Sequence, residues 1–527
     1  MFDLLISGGQ IIDGTGNVGF YGAVAVDGET VRILRGDVSD VEAARVIDAS
    51  GRVVCPGFID FHAHSGLMVL AEPRHEPKVR QGVTTEVIGI DGCSYAPFEH
   101  DDDLQRFIDL NSGLDGRPDL PGRWNTVAEY LAMFDHKVAV NVCYILGNSP
   151  LRVAAIGWHD KPAADQDIAN MQAILREAME EGAWGMSTGL DYPPGSYADT
   201  RELTALSKQA ARLGGIYHTH VRYNLGDKFL DPFREALDIG RGSGIATHIT
   251  HFYQSSITSR GGADRLLHLV EDARDTEGLD VTFDSYPYVY GSTRLAIVLP
   301  HWAQDGGPDT LRKAIASPEA RERMRNEVVP RGLSWHDMWL TYFKTPHNHR
   351  FEGHTVAAVA EMMGKHEVDA ICDLLLEEDL QVSFVGAGVN GLTLSKFVSH
   401  PMSMVGSDAL LIGDFPSPRT YGCFPIILSE YVREEQSMSL PFAIRKMTSF
   451  PAQRLGLPDR GLLRDGFKAD IVVFDAQHVR APATRTKPKQ FPIGIDYVIN
   501  NGKVVVDNGE HTGVLAGRAL RRGRATT

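Results

Sequence analysis

The sequence is poor in cysteine and has no long apolar run. Its five cysteines are spread over 527 residues, and none forms a CxxC pair. This spacing argues against a disulfide framework and favours a reducing compartment. The N-terminus lacks the basic start and long apolar core of a signal peptide, and no apolar stretch approaches the roughly 20 residues that a membrane span needs. We therefore predict a cytoplasmic protein without a membrane partner.

Basic residues are also outnumbered. The chain carries 52 lysines and arginines against 68 aspartates and glutamates, which gives a formal net charge of −16. An acidic chain without a basic stripe is a poor match for nucleic acid, so no nucleic-acid partner is expected. The short basic stretch at residues 517–527 is interpreted as a solvated chain end.

The two ends of the chain have a sequence pattern that is typical of short strands. Residues 1–50 contain β-branched segments interrupted by Gly and Asp-Gly turns. Near the C-terminus, Asn501-Gly502 is a tight-turn signal between two apolar runs. Each end alone is short for a hydrophobic core. The sequence therefore predicts one small β-sandwich domain built from residues 1–56 and 460–515.

Residues 57–459 alternate between short apolar runs and stretches with helical periodicity. About eight strand–helix units predict an α/β protein with a (β/α)8 TIM-like barrel, whose active site lies at the carboxyl ends of the strands. Residues 291–400 do not show a simple helical pattern and are predicted to contain an inserted lid segment. The eight candidate strands lie within 53–64, 84–92, 138–147, 182–190, 214–221, 245–252, 279–288 and 402–412.

Two histidines follow the first of these apolar runs. Side chains alternate faces along a strand, so His62 and His64 point the same way, which suits a shared divalent metal. The pair alone does not require a metal, because one histidine could cap a loop while the other is exposed. Placement at four strand ends is not expected by chance, so the wider pattern favours a metal site. The other strand-end candidates are His218, His220, His248, His251 and Asp408.

Several longer stretches resemble the amidohydrolase superfamily of metal-dependent hydrolases, and within it the N-acyl-D-amino-acid deacylase branch. PGFIDFHAH (56–64) is typical of the superfamily. GAWGMSTGLDYPPGSYADTREL (182–203) and DSYPYVYGST (284–293) favour the deacylase branch. With MVGSDA (404–409) and GLLRDGFKADIVVFD (461–475), the resemblance runs over most of the chain.

The resemblance implies one or two zinc ions. Many amidohydrolases bridge two metals with a carboxylated lysine, but the fourth candidate strand has no lysine. The deacylase branch uses a cysteine after the second strand; here Asp91 occupies that position, and Cys93, two residues later, is the alternative ligand. Otherwise Cys93 is a small buried hydrophobe. His220 and His251 complete one site with Asp91, and His218 and His248 are expected to play supporting roles. The implied metal ligands are His62, His64, Asp91, His220, His251 and Asp408.

The implied activity is hydrolysis of a C–N amide bond in a small-molecule substrate, namely deacylation of an N-acyl-D-amino acid by a zinc-activated water. Asp408 is the implied general base and then general acid. Ser417 departs from the branch, which has a histidine two residues before the arginine that holds the substrate carboxylate. The implied substrate-binding residues are Tyr192, Arg222, Tyr286, Ser292 and Arg419.

Two alternatives stay open at this point. The departures at Asp91 and Ser417 leave room for a hydrolase of cyclic amides, ureides or imides, like the dihydroorotase and hydantoinase relatives. A catalytically silent scaffold is expected to lack metal ligands, whereas this chain keeps its histidines and Asp408. A homo-oligomer is also left open.

Overall fold

The computed structural model describes residues 1–256, 262–328 and 333–523 of an α/β protein. Eight main strands of the described residues pair in parallel with their neighbours, and each of the eight candidate segments overlaps one of them. They are neighbours in chain order, and the Phe61 amide donates to the Val405 carbonyl at 3.2 Å, which joins the eighth strand to the first. Leu146–Gly147 extends the third strand to pair with the fourth. The parallel strands are Phe58–Asp60, Val83–Ile88, Asn141–Tyr144, Gly185–Gly189, Ile216–His220, Ala246–Ile249, Val281–Ser285 and Ser403–Val405.

These strands are buried along their whole length, apart from a half-buried Ala246. Burial on both faces is typical of parallel strands covered by helices, and it explains their continuous apolar runs. Polar residues such as His218, His220 and Asp284 lie toward the carboxyl ends. The strands therefore deliver buried polar groups to one end of the sheet.

The connecting helices each bury one apolar stripe. In Thr200–Arg212, Leu203, Leu206 and Ala210 are buried, and the Asp199 side chain caps the helix by accepting from the Glu202 amide at 2.8 Å. The longer helices are Asp101–Asp115, Asp165–Glu180, Thr200–Arg212, Asp231–Ser243 and Gly262–Asp275. Shorter ones are Met68–Ala71, Glu76–Val79, Val127–Ala132, Asn148–Ala155, Gly391–Val398, Arg419–Ile426 with the π-helical Ile427–Glu434, Leu440–Met447 and Ser449–Leu455.

Strands from both ends of the chain share one sheet. Val53–Pro56 pairs with Gln10–Ile11 on one side and with Ile471–Phe474 on the other. Side chains of this sheet and of a second, N-terminal sheet pack into one apolar cluster that includes Ile6, Val24 and Ile471. The remaining strands of the shared sheet are Phe20–Tyr21, Ile495–Asn500, Lys503–Asp507 and Glu510–His511; the N-terminal sheet contains Phe2–Ser7, Ala23–Asp27, Thr30–Leu34 and Ala43–Asp48.

The segment predicted as a lid contains a three-stranded antiparallel sheet of Gly291–Arg294, Val382–Gly386 and Met338–Phe343. The hydroxyl of Ser383 donates to the Gly113 carbonyl, which attaches this sheet to the Asp101–Asp115 helix. Helices in the same segment are His301–Gln304, Pro308–Ala316, Pro318–Glu327, Val356–Met363 and Glu367–Glu377.

The interpretation of the C-terminal stretch as a solvated end is wrong for residues 517–522. Gly517 and Ala519 form β-bridges with Val138 and Val142, and the Trp184 indole donates to the Leu520 carbonyl at 2.6 Å. The stretch is ordered because its backbone groups find partners on the third parallel strand and the segment before it, and because Arg518 and Arg521 pair with the carboxylates of Glu29 and Asp135. Residues 524–527 lie outside the described part of the chain.

All five cysteines are free and buried. Within residues 1–256, 262–328 and 333–523, no helix is both long and apolar enough to cross a bilayer.

Candidate metal centre

The candidate metal ligands gather at the carboxyl ends of the parallel strands. His62 and His64 follow the first strand, His220 ends the fifth, His251 follows the sixth and Asp408 follows the eighth. All five side chains are buried.

Asp91, in the loop after the second strand, lies at the centre of this group. Its Oδ2 atom is 3.4 Å from Nε2 of His62 and 3.6 Å from Nε2 of His64. The same oxygen is 3.5 Å from Nδ1 of His220 and 3.7 Å from Nε2 of His251. One carboxylate oxygen therefore faces four imidazoles from three strand ends.

Asp408 faces the first of these histidine pairs. Its Oδ1 atom lies 3.5 Å from Nε2 of His62 and 3.4 Å from Nε2 of His64. Three groups of possible ligands result: Asp91 belongs to two of them, and the third contains His62, His218 and Asp284. We call His62, His64, Asp91 and Asp408 the HxH cluster, and Asp91, His220 and His251 the fifth-strand cluster.

Three of these residues have a left-handed backbone that non-glycine residues rarely adopt. The φ angles are 53° at Asp91, 34° at His251 and 47° at Asp408. Neighbouring groups hold two of them, since the Asp408 amide donates to the His62 carbonyl at 2.8 Å and the His251 amide donates to Asp284 at 2.7 Å. Strained backbone of this kind concentrates at functional sites.

The electrostatics of the site favour a bound cation. Burial by itself would lower the pKa of His62, but the charges of Asp91, Asp284 and Asp408 outweigh it and raise that pKa to about 10. Burial would raise the pKa of Asp91, yet the charge of His62 and hydrogen bonds from His220 and His251 hold it well below its usual range. The surrounding carboxylates thus give the imidazoles a high affinity for positive charge, which in the absence of a metal is a proton. A metal ion that binds at such ligands displaces these protons.

The spacing of the ligand atoms fits a metal ion. Two atoms each about 2.1 Å from a tetrahedral zinc ion lie about 3.4 Å apart, close to the separations of 3.4 to 3.7 Å between the carboxylate oxygens and the imidazole nitrogens. Nδ1 of His220 and Nε2 of His251 are nearer to each other, at 3.0 Å. Nε2 of His62 and Oδ1 of Asp91 are also buried without a hydrogen-bond partner, which is costly unless another ligand satisfies them.

Asp91 and Cys93 occupy different surroundings. Asp91 belongs to both clusters, whereas among the described residues Cys93 belongs to no metal-ligand group. The Cys93 thiol instead faces Oδ1 of Asn111 at 3.6 Å. Burial, together with the charge of Asp115, raises the pKa of this thiol to about 12, so the thiolate that binds metal is disfavoured.

Carboxylates and a phenol that the sequence reasoning missed hold the outer side of each ligand histidine. Asp284 lies 3.3 Å from Nδ1 of His62, and Asp115 lies 2.8 Å from Nδ1 of His64. Asp191 lies 3.3 Å from Nε2 of His220, and the Tyr223 hydroxyl lies 2.9 Å from Nδ1 of His251. Asp191 and Asp284 lie in the family-like stretches 182–203 and 284–293, so those motifs could have pointed to them. Asp115 ends a helix in no quoted motif, and no local pattern marks it.

His218 and His248 lie beneath the ligand histidines. Nε2 of His218 lies 3.1 Å from the Phe61 carbonyl, and Nε2 of His248 lies 3.0 Å from Asp284. Burial lowers the pKa of His248 to about 4 despite the nearby charge of Asp284. Both imidazoles therefore support the first strand and Asp284, the outer partner of His62.

Arg419 brings three predicted site residues together. Its Nη2 atom lies 2.9 Å from Oδ2 of Asp408 and donates to the Ser292 hydroxyl at 3.1 Å. Its guanidinium carbon lies 4.2 Å from the centre of the Tyr286 ring. Arg419 is fully buried, so the site carries a positive group beside the HxH cluster.

Tyr192 and Arg222 differ in their placement. The Tyr192 ring lies 5.1 Å from the His220 ring, and its hydroxyl lies 2.9 Å from that of Thr293 in the antiparallel sheet. Arg222 donates to the carbonyls of Ser196 and Ala198, at 2.6 Å each, and pairs with Glu235. The structure thus places Arg222 in a framework of internal contacts.

Eight parallel strands whose carboxyl ends converge on imidazoles and carboxylates define an α/β protein with a candidate two-ion metal centre. The chain belongs to the Amidohydrolase family, whose profile matches residues 45–242 and 336–506. The predicted family is therefore confirmed.

Curated relatives match over nearly the whole chain. The D-aminoacylase of Alcaligenes xylosoxydans xylosoxydans is 34% identical over 99% of this chain and 98% of its own length. The N-acyl-D-aspartate deacylase of the same organism is 35% identical over 99% of this chain and 96% of its own.

Solved structures show the same likeness. A D-aminoacylase crystal structure superposes with a TM-score of 0.82 at 31% identity, over 99% of this chain and 100% of that one. The N-acyl-D-glutamate deacylase of Bordetella bronchiseptica, complexed with zinc and a phosphonate inhibitor, gives a TM-score of 0.84 at 31% identity, over 99% of each chain. The L-hydantoinase of Arthrobacter aurescens shares the fold, with a TM-score of 0.56 at 16% identity.

Proposed function

We propose that this chain is a zinc-dependent hydrolase that removes the acyl group from N-acyl-D-amino acids. Relatives at 33 to 35% identity are named D-aminoacylase, N-acyl-D-aspartate deacylase and N-acyl-D-glutamate deacylase. The observation that carries the proposal is the buried Arg419 guanidinium, 2.9 Å from Asp408 and beside the HxH cluster. It offers a carboxylate anchor next to the group that is proposed to move the proton.

The HxH and fifth-strand clusters would hold one or two zinc ions. Zinc at such ligands lowers the pKa of a bound water and polarises a carbonyl group. The proposed ligands are His62, His64, Asp91, His220, His251 and Asp408, with Asp91 favoured over Cys93 because it lies in both clusters.

Asp408 is the proposed general base and acid. The charges of Arg419 and His62 overcome the effect of burial and hold its pKa well below the usual range, so the side chain is an ionised carboxylate without a proton of its own. It would take a proton from the attacking water and deliver it to the leaving nitrogen as the C–N bond breaks. Products are a carboxylic acid and a D-amino acid.

Arg419, with Tyr286 and Ser292, is proposed to bind the substrate carboxylate. A guanidinium pairs with a carboxylate through two hydrogen bonds. The Arg419 guanidinium already donates to the Ser292 hydroxyl at 3.1 Å. Tyr192, beside His220, is proposed to contact the scissile amide. The internal contacts of Arg222 favour a structural role over the substrate contact that the resemblance implied.

We further infer that the eight parallel strands close into a (β/α)8 barrel spanning residues 57–459, with a lid in 291–400 and a small β domain formed by 1–56 and 460–515. The lid proposal is supported by the hydrogen bond between Thr293 and Tyr192. A cytoplasmic location is proposed because all five cysteines are free. A homo-oligomer stays a prediction.

A matched substrate panel tests the proposed function. The zinc-loaded chain is assayed with N-acetyl-D- and N-acetyl-L-amino acids, an N-acetyl amine without a carboxylate, and a hydantoin, and the released amine or acid is measured. Turnover should be confined to the N-acyl-D-amino acids, should vanish after chelation and should return with zinc. Preferred hydrolysis of the hydantoin would instead support the cyclic-amide alternative, which the 16% identical hydantoinases support only through their fold.

A further inference from the structure

We propose that Asp115 is a positioning residue for His64 and sets how tightly the HxH cluster holds its metal ion. The inference rests on the part of the proposed function that assigns zinc to this site.

Asp115 holds the ring nitrogen of His64 that faces away from the ligand cluster. Its Oδ1 atom lies 2.8 Å from Nδ1 of His64, while Nε2 of that ring faces Asp91 and Asp408 at 3.6 and 3.4 Å. A carboxylate on Nδ1 places the proton there and leaves the Nε2 lone pair directed into the cluster. Asp115 thereby selects the tautomer of His64 that can bind a metal.

The Asp115 carboxylate is itself held in place. Its second oxygen accepts a hydrogen bond from the Tyr95 hydroxyl at 2.5 Å, and the side chain is buried. Asp115 is the last residue of the Asp101–Asp115 helix. One turn earlier, Oδ1 of Asn111 accepts from Arg294 at 2.6 Å, and Arg294 lies on a strand of the antiparallel sheet. Two separate contacts therefore fix the carboxylate and the helix that carries it.

The fifth-strand cluster supplies a matched comparison. Asp191 lies 3.3 Å from Nε2 of His220, on the side of the ring away from Asp91. An Asp-to-Asn change at either position removes one charge and keeps the side-chain shape. The two changes act on different ligand histidines, so they should affect different ions.

Loss of an outer partner of a ligating histidine commonly weakens metal affinity by about 10- to 100-fold. Asp115→Asn should therefore weaken one zinc-binding step by about that factor. The affected step should be the one that His64→Ala abolishes. Asp191→Asn should weaken the other step and leave this one unchanged.

The experiment titrates the chelator-stripped full chain with Zn²⁺ against a chromophoric competitor and counts zinc per chain by mass spectrometry. Circular dichroism and thermal melting check that each variant folds. Tyr95→Phe, which removes only the hydroxyl that orients Asp115, should give a smaller loss in the same step. In the His64→Ala background, Asp115→Asn should have no further effect on zinc affinity.

The outcomes separate this inference from the proposed function. If the natural chain binds two zinc ions and folded Asp115→Asn binds both with unchanged affinity, the positioning role is wrong while the hydrolase proposal stands. Equal weakening of both steps, or further weakening in the His64→Ala background, would also overturn it, because the effect would not pass through His64. If the natural chain binds no zinc, the inference and the proposed function fail together.

Discussion

Replacing Asp408 by asparagine tests the proposed chemistry most directly. The amide keeps the size of the carboxylate, and its oxygen can still accept from Arg419, which lies 2.9 Å away. What it loses is the negative charge and the ability to carry a proton between water and the leaving nitrogen. The fold should therefore persist while catalysis falls.

The expected loss can be bounded. Positioned general acid–base groups contribute about 10²- to 10⁴-fold to a reaction rate, equivalent to about 3 to 5 kcal/mol of activation free energy. Because Asp408 belongs to the HxH cluster and lies 3.4 to 3.5 Å from the Nε2 atoms of His62 and His64, the variant is also expected to bind the ion of that cluster less tightly. Saturating zinc should restore the ion without restoring the proton transfer.

The assay measures kcat on an N-acetyl-D-amino acid at saturating zinc, with zinc per chain determined on the same sample. Asp414→Asn is the control, because Asp414 is an exposed carboxylate beyond the short strand Ala409–Leu410, and its partner is Lys489. Asp414→Asn should keep normal turnover. The proton-transfer role would be refuted by a folded, zinc-loaded Asp408→Asn variant whose kcat is within about threefold of the natural chain. Such a loss is far smaller than the roughly 100-fold minimum expected for a general acid–base group.

Three further predictions concern metal, substrate and pH. Asp91→Ala should lose zinc from both clusters, whereas Cys93→Ala should keep normal zinc content; the reverse result would show that the thiol is the ligand. Arg419→Ala should raise KM for N-acyl-D-amino acids by about 100-fold, since loss of a buried charge partner costs about 2 to 5 kcal/mol; an unchanged KM would place the anchor elsewhere. Burial lowers the pKa of His248 from 6.5 to about 4. The neutral buried imidazole therefore makes its full contribution to the free energy of unfolding above pH 6.5, and this contribution is lost as the pH falls from 6.5 toward about 4. Melting temperatures of the metal-free chain should fall over that range, and less steeply for His248→Gln; equal slopes would contradict the neutral buried imidazole.

The candidate metal ligands at the strand ends could be predicted from the sequence because their signal is local. A parallel strand shows itself as a short apolar run, and the two-residue period of a strand places His62 and His64 on one face. The fold then brings such strand ends to one side of the sheet. The motif stretches around them carried the family, which the comparisons confirm.

Other features depended on contacts between distant segments. Asp91 and Cys93 are both plausible ligands by chemistry, and only the path of the loop brings Asp91 to four imidazoles while Cys93 faces Asn111. Arg222 had no distinguishing sequence pattern, and its partners, which include Glu235, lie on other segments. The ordered tail at 517–522 likewise depends on the third parallel strand and the segment before it, about 380 residues earlier in the chain.

The sequence by itself determined the alternation of strands and helices, the candidate ligand histidines at the strand ends and the family, because local periodicity and short motifs carry all three. Tertiary structure alone decided that Asp91 joins the two ligand clusters, that Arg419 lies against Asp408, and that Asp115 holds His64. The reason is physical: the contacts that orient a side chain come from the residues that pack beside it, and those residues belong to distant segments of the chain.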